Sequence, residues 1–477
     1  MRQPFWTDEA WVAVTTRFPL TQLPHVTSST PIGWSVLIRL IPFGGNNLRL
    51  VPLAFSAGTV ASAYWFGRRL GWAEMRISVG AGIIAAIAAL LVPAMLVRSD
   101  LKQYTADACL ALVVMALTSR VERDWGRKPL AALGGAVVGG MLFSHTTAFV
   151  GVAAFASLTM IQLVRRAWRP LLESVAVGAI TAIGMLGVYS AFDARAVIPG
   201  LTQYWAGYYV PVHQGIRASL HFLRIHIEQQ EASLGLGPAW VIVVLVIAGL
   251  VTLLRLGRPA TALTVVVLWV EMVVLAAARK YPFLDQRTST FVFVVTIVVA
   301  AVGVVGICTL VMRWVTPLGA AALAATLVVT FTIHVEPEVR VQAIPVEDVQ
   351  SPVDYIVAHR ASQDVVLVNA IGNFAFAYYW PFGHPSATDS TLVLQRYLAV
   401  FPDQRQLVIA RGRSLEAVAD AVGAAETVAS QHPQARIWVI RSHLSSAEAG
   451  AWQVILAARG LTLEPIGPSG LTMLQPG

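Results

Sequence analysis

Two adjacent carboxylates near the start of the sequence, Asp8 and Glu9, are the residues best suited to acid–base chemistry. They stand among aromatic residues in the stretch 5–11. A carboxylate on an outer loop can act as a general base, which takes the proton from a hydroxyl while that hydroxyl attacks an activated sugar carbon. The same two acids also suit the first turn of a helix, where they complement the helix dipole. The sequence leaves both interpretations open.

Three cations in a short segment between apolar runs could neutralise a phosphate. Residues 279–287 contain Arg279, Lys280 and Arg287, with Tyr281 between them. The charge pattern of the other loops puts this segment on the outer side of a membrane, where the positive-inside rule disfavours cations. Binding of a phosphate or pyrophosphate would explain such a cluster, and contact with lipid headgroups is the alternative.

A second outer segment carries further candidates. Lys102 and Tyr104 lie just before an apolar run, and Asp107 falls about one turn inside it. An acid at that depth is costly unless it is paired or faces a wet cavity, so an ion pair with Lys102 is as well supported as a functional role.

His145 is predicted at the tip of an outer hairpin. No second histidine at metal spacing accompanies it, so the sequence indicates no metal site, although a divalent metal stays open as a cofactor.

The composition assigns the chain to the membrane. Of 477 residues, 56% are hydrophobic and 13% are charged, and the mean hydropathy is +0.66, whereas soluble proteins carry roughly 25% charged residues. A helix needs roughly 20 residues to cross the hydrocarbon, which makes the fourth of about ten candidate spans short. The spans predicted from the sequence are 48–67, 77–97, 104–119, 130–144, 146–164, 171–192, 238–254, 260–278, 289–312 and 317–335.

Arginines and lysines concentrate in alternate loops, which the positive-inside rule places in the cytoplasm. The net charge of +8 therefore indicates membrane topology and gives no reason to expect nucleic acid as a partner. Residues 1–47, the loop 193–236 and everything after residue 336 are then predicted to face outward. No span precedes residues 1–47 in the sequence, so we expect that a first span is missing from this chain.

The composition changes after residue 336. A linker at 337–352 leads to a predicted α/β domain at 353–477, in which apolar runs of strand length alternate with helical patterns. Such alternation predicts a mostly parallel sheet covered by helices. The predicted fold class is thus a polytopic α-helical membrane protein, with a helical bundle at 1–336 and a C-terminal extracytoplasmic α/β domain.

The order of several motifs resembles the GT-C glycosyltransferases. The motifs are the aromatic-x-Asp8-Glu9-Ala-Trp stretch, the segment Pro-Ile-Gly-Trp-Ser-Val-Leu at 31–37, the segment 48–52 and the Tyr-Trp-Phe-Gly-Arg-Arg-Leu segment at 64–70. The sequence is most similar to the branch with protein O-mannosyltransferases and the lipid A aminoarabinose transferase. Members of that family have a span ahead of the Asp-Glu pair.

The resemblance implies transfer of a sugar from a polyprenyl-phosphate donor to an acceptor on the extracytoplasmic face of the plasma membrane, with inversion. It implies that Asp8 is the base, with Glu9 beside it. It also implies that the donor phosphate is held by Lys102, Arg279, Lys280 and Arg287, with Tyr104, Asp107, His145 and Tyr281 as further pocket candidates. The sequence specifies neither the sugar nor the acceptor, which could be a protein, a glycan or a lipid. A transporter or lipid flippase is the main alternative, followed by a non-catalytic receptor.

Overall fold

The structure is a computed structural model and consists of two compact units. One comprises Met1–Leu48, Phe192–Leu201 and Ala343–Gly477, and the other comprises Arg49–Ala191 and Thr202–Gln342. The first 48 residues thus belong to the same compact unit as the C-terminal part, although the sequence analysis grouped them with the spans. The structure describes residues 4–27, 30–42, 44–91, 100–194, 200–234, 239–312, 319, 347–390, 392 and 395–476.

The chain begins with three short helices, which are α1 (Thr7–Ala13), α2 (Leu23–Val26) and α3 (Ile32–Arg39). Aromatic and polar contacts join this segment to the C-terminal part of its unit. The Trp11 ring stacks on Phe374 with 5.3 Å between the ring centroids, and the Arg17 guanidinium donates to the carbonyl oxygen of Ala377 at 2.7 Å. The N-terminal helices are therefore packed on the C-terminal domain.

The second unit is a bundle of helices. Its elements are α4 (Leu50–Arg69), α5 (Met75–Leu91), α6 (Tyr104–Arg123), α7 (Arg127–Met141), α8 (Thr147–Val164), α9 (Trp168–Val188), α10 (Leu201–Tyr204), α11 (Ile216–Leu234), α12 (Ala239–Arg255), α13 (Pro259–Ala277) and α14 (Thr290–Val311). Helices correspond to nine of the predicted spans. The tenth, 317–335, lies outside the described residues except for residue 319. In the described part, six helices are long and apolar enough to cross a membrane.

Helices α14 and α6 form the centre of the bundle, where 89% and 83% of their apolar stretches are buried. Helix α14 packs against α12 at two glycines, Gly249 and Gly303. A Cβ atom on Gly303 would lie 2.1 Å from the carbonyl oxygen of Leu245, so the two backbones touch there. Small residues permit such close approach between helices in a membrane.

The C-terminal domain contains a sheet as predicted, but this sheet is mixed and not mostly parallel, since two of its four strand pairings are antiparallel. Its helices are α15 (Gln350–His359), α16 (Asn373–Tyr379), α17 (Leu415–Ala429) and α18 (Ser446–Ala458). Its strands are β1 (Val365–Val368), β2 (Ser386–Asp389), β3 (Tyr397–Val400), β4 (Leu407–Ile409), β5 (Ile437–Ile440), β6 (Leu461–Pro465) and β7 (Leu471–Pro476). The main sheet has the order β4-β1-β5-β7-β6. Strand β1 runs parallel to β4 and β5, whereas β7 is antiparallel to both its neighbours.

Helix α15 begins at Gln350, and the Asp348 carboxylate accepts the Ser351 N–H in its first turn at 2.9 Å. The antiparallel pair β2–β3 was not predicted. At the start of α18, Ser445 Oγ accepts the Glu448 N–H at 3.2 Å, so Ser445 caps this helix.

Candidate active site

Lys102 lies in a tight turn that leads into α6. The Asp100 carboxylate accepts the backbone N–H of Lys102 at 3.0 Å, which fixes the turn. Asp100 is 1% exposed and Lys102 is 6% exposed. A buried lysine is tolerated when its charge is balanced, so this turn presents a cation in a largely enclosed position.

Arg287 lies against the first residue of the same helix. Its guanidinium carbon is 5.5 Å from the centroid of the Tyr104 ring, a cation–π geometry. Tyr104 is two residues from Lys102 in sequence. The structure therefore brings the segment 279–287 to the start of α6 and places two of the predicted cations at one end of the bundle.

Tyr281 belongs to the segment 279–287 and lies within electrostatic range of Tyr104 and Asp107 on α6. Its hydroxyl donates to the carbonyl oxygen of Thr288 at 2.8 Å, and its ring packs edge-on against Phe149. Burial raises the pKa of Tyr281 well above its ordinary value, and the carboxylates of Asp107 and Asp285 raise the pKa further. Tyr281 therefore stays protonated, and its one O–H donates to the Thr288 carbonyl oxygen.

Asp107 is a buried acid one turn into α6, with 2% of its surface exposed. Ser144, His145 and Thr146, from the turn before α8, all lie within interaction range of its carboxylate. Among the described residues, Asp107 Oδ1 has no hydrogen-bond partner. The predicted pocket candidates Tyr104, Asp107, His145 and Tyr281 are thus brought together.

Arg279 and Lys280 are placed differently from Arg287. Both are exposed, and they end α13 in a Schellman-type turn, in which the Lys280 N–H donates to the Leu275 carbonyl at 2.8 Å. Arg279 takes the left-handed position of that turn, with φ of 56°. Arg279 and Lys280 are thus exposed at the end of α13, whereas Arg287 lies over the Tyr104 ring.

The acid pair lies in the other unit, in the first turn of α1. Glu9 is 1% exposed and Asp8 is half-buried. Two residues that the sequence analysis did not assign are close to them: Glu347 accepts the Thr7 N–H at 3.0 Å, and His443 lies within electrostatic range of Asp8. His443 follows the carboxyl end of β5, the sheet edge where ligands bind in parallel sheets, which is the signal that could have identified it.

No group of three His, Cys, Asp or Glu side chains within the described ranges could hold a metal ion.

No protein-family model matches the sequence, and none of the curated proteins matches it. Among solved structures, this chain is similar to ArnT from Cupriavidus metallidurans bound to undecaprenyl phosphate, with a TM-score of 0.50 and 13% identity over 99% of this chain and 94% of that chain. The predicted fold is confirmed at this level: the chain is a multi-pass membrane protein with a C-terminal sheet domain and the GT-C fold of ArnT.

Proposed function

We propose that this chain is a membrane glycosyltransferase, which moves a sugar from a polyprenyl-phosphate donor to an acceptor at the extracytoplasmic face. The observation that carries the proposal is the cluster at the start of α6 in a chain with the fold of ArnT, a protein whose structure holds undecaprenyl phosphate. The cluster combines two cations, two tyrosines and a buried acid.

In this proposal Lys102 and Arg287 hold the donor phosphate. When the bond between the anomeric carbon and the phosphate oxygen breaks, the leaving phosphate gains negative charge, and preorganised cations stabilise that charge. Arg287 is held over the Tyr104 ring and Lys102 is enclosed by its turn, so neither cation has far to reorganise. Arg279 and Lys280, which are exposed, would contribute by long-range attraction.

The acceptor hydroxyl would attack the anomeric carbon from the face opposite the phosphate, which inverts the configuration. Its proton would pass to a carboxylate, and Asp8 is the proposed base, since general bases of this kind must be ionised and accessible. Asp8 is half-buried, whereas Glu9 is 1% exposed. The products are the glycosylated acceptor and polyprenyl phosphate.

An apolar cavity of about 260 Å³ in the helical unit is suited to part of the prenyl chain. Its lining includes Val243 on α12, Trp269 on α13 and Phe293 on α14. Leu284 also lines it and lies three residues from Arg287. The segment 279–287 would then contact both the tail and the phosphate of one lipid.

Transfer from a labelled polyprenyl-phosphate sugar, measured with the full chain in lipid vesicles, tests the proposal. We expect Lys102→Gln and Arg287→Gln each to raise the KM for the donor about tenfold, equivalent to roughly 1.4 kcal/mol of lost binding. Arg279→Gln is the matched control, because its side chain is exposed, and its donor KM should change less. An equal donor KM in all four proteins, wild type included, would refute phosphate binding at the cluster.

A further inference from the structure

The junction between α1 and the C-terminal domain is built around one carboxylate, Glu347. Its Oε2 atom accepts the Thr7 N–H at 3.0 Å and also the Thr7 hydroxyl. Its Oε1 atom is paired with His443 Nδ1. Trp6, at the N-cap position of α1, supplies no capping side chain. Glu347 therefore accepts one of the backbone N–H groups at the start of the helix that have no partner within the helix.

His443 is held in an uncommon backbone conformation. Its φ is 53°, in the left-handed region that residues other than glycine rarely adopt. It follows β5, and this conformation directs the imidazole to Glu347. Such conformations persist where the surrounding structure overdetermines them and often mark functional sites.

The charged groups around His443 are Glu347, Asp8, Arg413 and Glu448. The hydrogen bond to Glu347 raises the pKa of His443 despite its burial, and Asp8 adds to the increase while Arg413 opposes it. Burial raises the pKa of Glu347, but the hydrogen bonds from His443 and Thr7 outweigh it, so its pKa lies below the ordinary value.

We propose that Glu347 and His443 position the first turn of α1, and with it Asp8, so that the C-terminal domain holds the base of the reaction in place. This inference rests on the proposed function, because it assigns a catalytic consequence to the position of Asp8. It makes Glu347 and His443 positioning residues and gives the C-terminal domain a part in the reaction.

The pH dependence of the pair follows from the raised pKa of His443 and the lowered pKa of Glu347. His443 has a raised pKa, so its contribution is complete below its ordinary pKa of about 6.5 and is lost as the pH rises through the raised value. Glu347 has a lowered pKa, so its contribution to the stability of the junction is present above its ordinary pKa. That contribution is lost as the pH falls through the lowered pKa. The junction is thus weakened on the alkaline side by loss of the His443 proton.

The test compares Glu347→Gln and His443→Asn with wild type and with the control His384→Asn, a substitution of an exposed histidine in the same unit. Asparagine tolerates the left-handed conformation, so His443→Asn removes the charge with little backbone cost. In hydrogen–deuterium exchange on the full chain, we expect the amides of residues 7–13 to exchange about tenfold faster in both variants, as loss of a charge-assisted hydrogen bond implies. The control should exchange like wild type.

Activity provides the second measurement. Both variants should lower kcat about tenfold to a hundredfold, the cost of a misplaced reacting group, with the donor KM unchanged. The alkaline decline of kcat in wild type should move or vanish in His443→Asn. Unchanged exchange in both variants would overturn the inference, as would faster exchange with a wild-type kcat and pH profile. If wild type transfers no sugar, the proposed function fails, and the exchange result still decides whether the pair anchors α1.

Discussion

At the scale of single residues, local conformation distinguishes side chains that the sequence treats as equivalent. Arg279 and Arg287 both lie in one cationic segment, yet Arg279 ends a helix in an exposed left-handed turn while Arg287 lies over Tyr104. Sequence spacing does not encode this difference, because it depends on where α13 ends and how the chain folds back toward α6. The assignment of all four cations to the donor phosphate therefore stays a prediction, which the geometry supports most for Lys102 and Arg287.

The two acids of α1 can be separated by substitution. We expect Asp8→Asn to abolish transfer, because the carboxylate would lose its role as base, and to lower the melting temperature less than Glu9→Gln does, because Asp8 is only half-buried. Glu9→Gln should retain most of the transfer activity and lower the melting temperature, because Glu9 is almost fully buried. Transfer rates and melting curves of the purified variants check both outcomes. Activity in Asp8→Asn close to that of wild type would exclude Asp8 as the base.

At the scale of elements, the apolar spans were predictable and the strained turns were not. Long runs of apolar residues predict helices in lipid because the backbone must satisfy its own hydrogen bonds there. The segment 279–287 has no such constraint, and it contains two residues with positive φ, Arg279 and Leu284. Strand β2 was missed because Ser386–Asp389 is short and only partly buried, so it lacks the apolar signal that identified β1 and β5.

The crossing of α12 and α14 gives a prediction about stability. Gly303→Ala should lower the melting temperature of the protein in detergent, because the new Cβ would meet the Leu245 carbonyl oxygen and overpacking costs about 1–3 kcal/mol. Gly80→Ala on α5 is the matched control, since a Cβ there meets nothing within 4 Å. We expect the control to be neutral or slightly stabilising. Equal melting temperatures for Gly303→Ala and wild type would show that the two helices can separate at no cost.

At the scale of the whole molecule, the chain is organised differently from its linear order. Glu347 lies in the segment predicted to be a linker, but its contact with Thr7 spans 340 residues and places it at the start of α1. No local pattern could predict that contact, because it depends on the packing of the N-terminal helices on a domain formed by the end of the chain. The motif order that resembles GT-C enzymes did predict the fold, which the similarity to ArnT supports.

The enzyme and transporter interpretations differ in what the cluster at α6 must bind. A transporter predicts internal repeats and substrate sites on broken helices at the midplane, whereas the proposed enzyme requires a lipid phosphate at the end of the bundle. Lys102, Arg287 and Tyr104 lie at the start of α6, outside or at the edge of its apolar stretch. Lipid-phosphate binding can be measured without knowing the sugar or the acceptor.

The most direct test is therefore equilibrium binding of undecaprenyl phosphate to the purified full chain in nanodiscs. The account predicts saturable binding to wild type and a loss of affinity of at least about tenfold in the double variant Lys102→Gln/Arg287→Gln, since effects of residues that share one phosphate need not add. It predicts a smaller loss in Arg279→Gln/Lys280→Gln. Absence of saturable binding to wild type, or equal affinity in wild type and the first double variant, would contradict it.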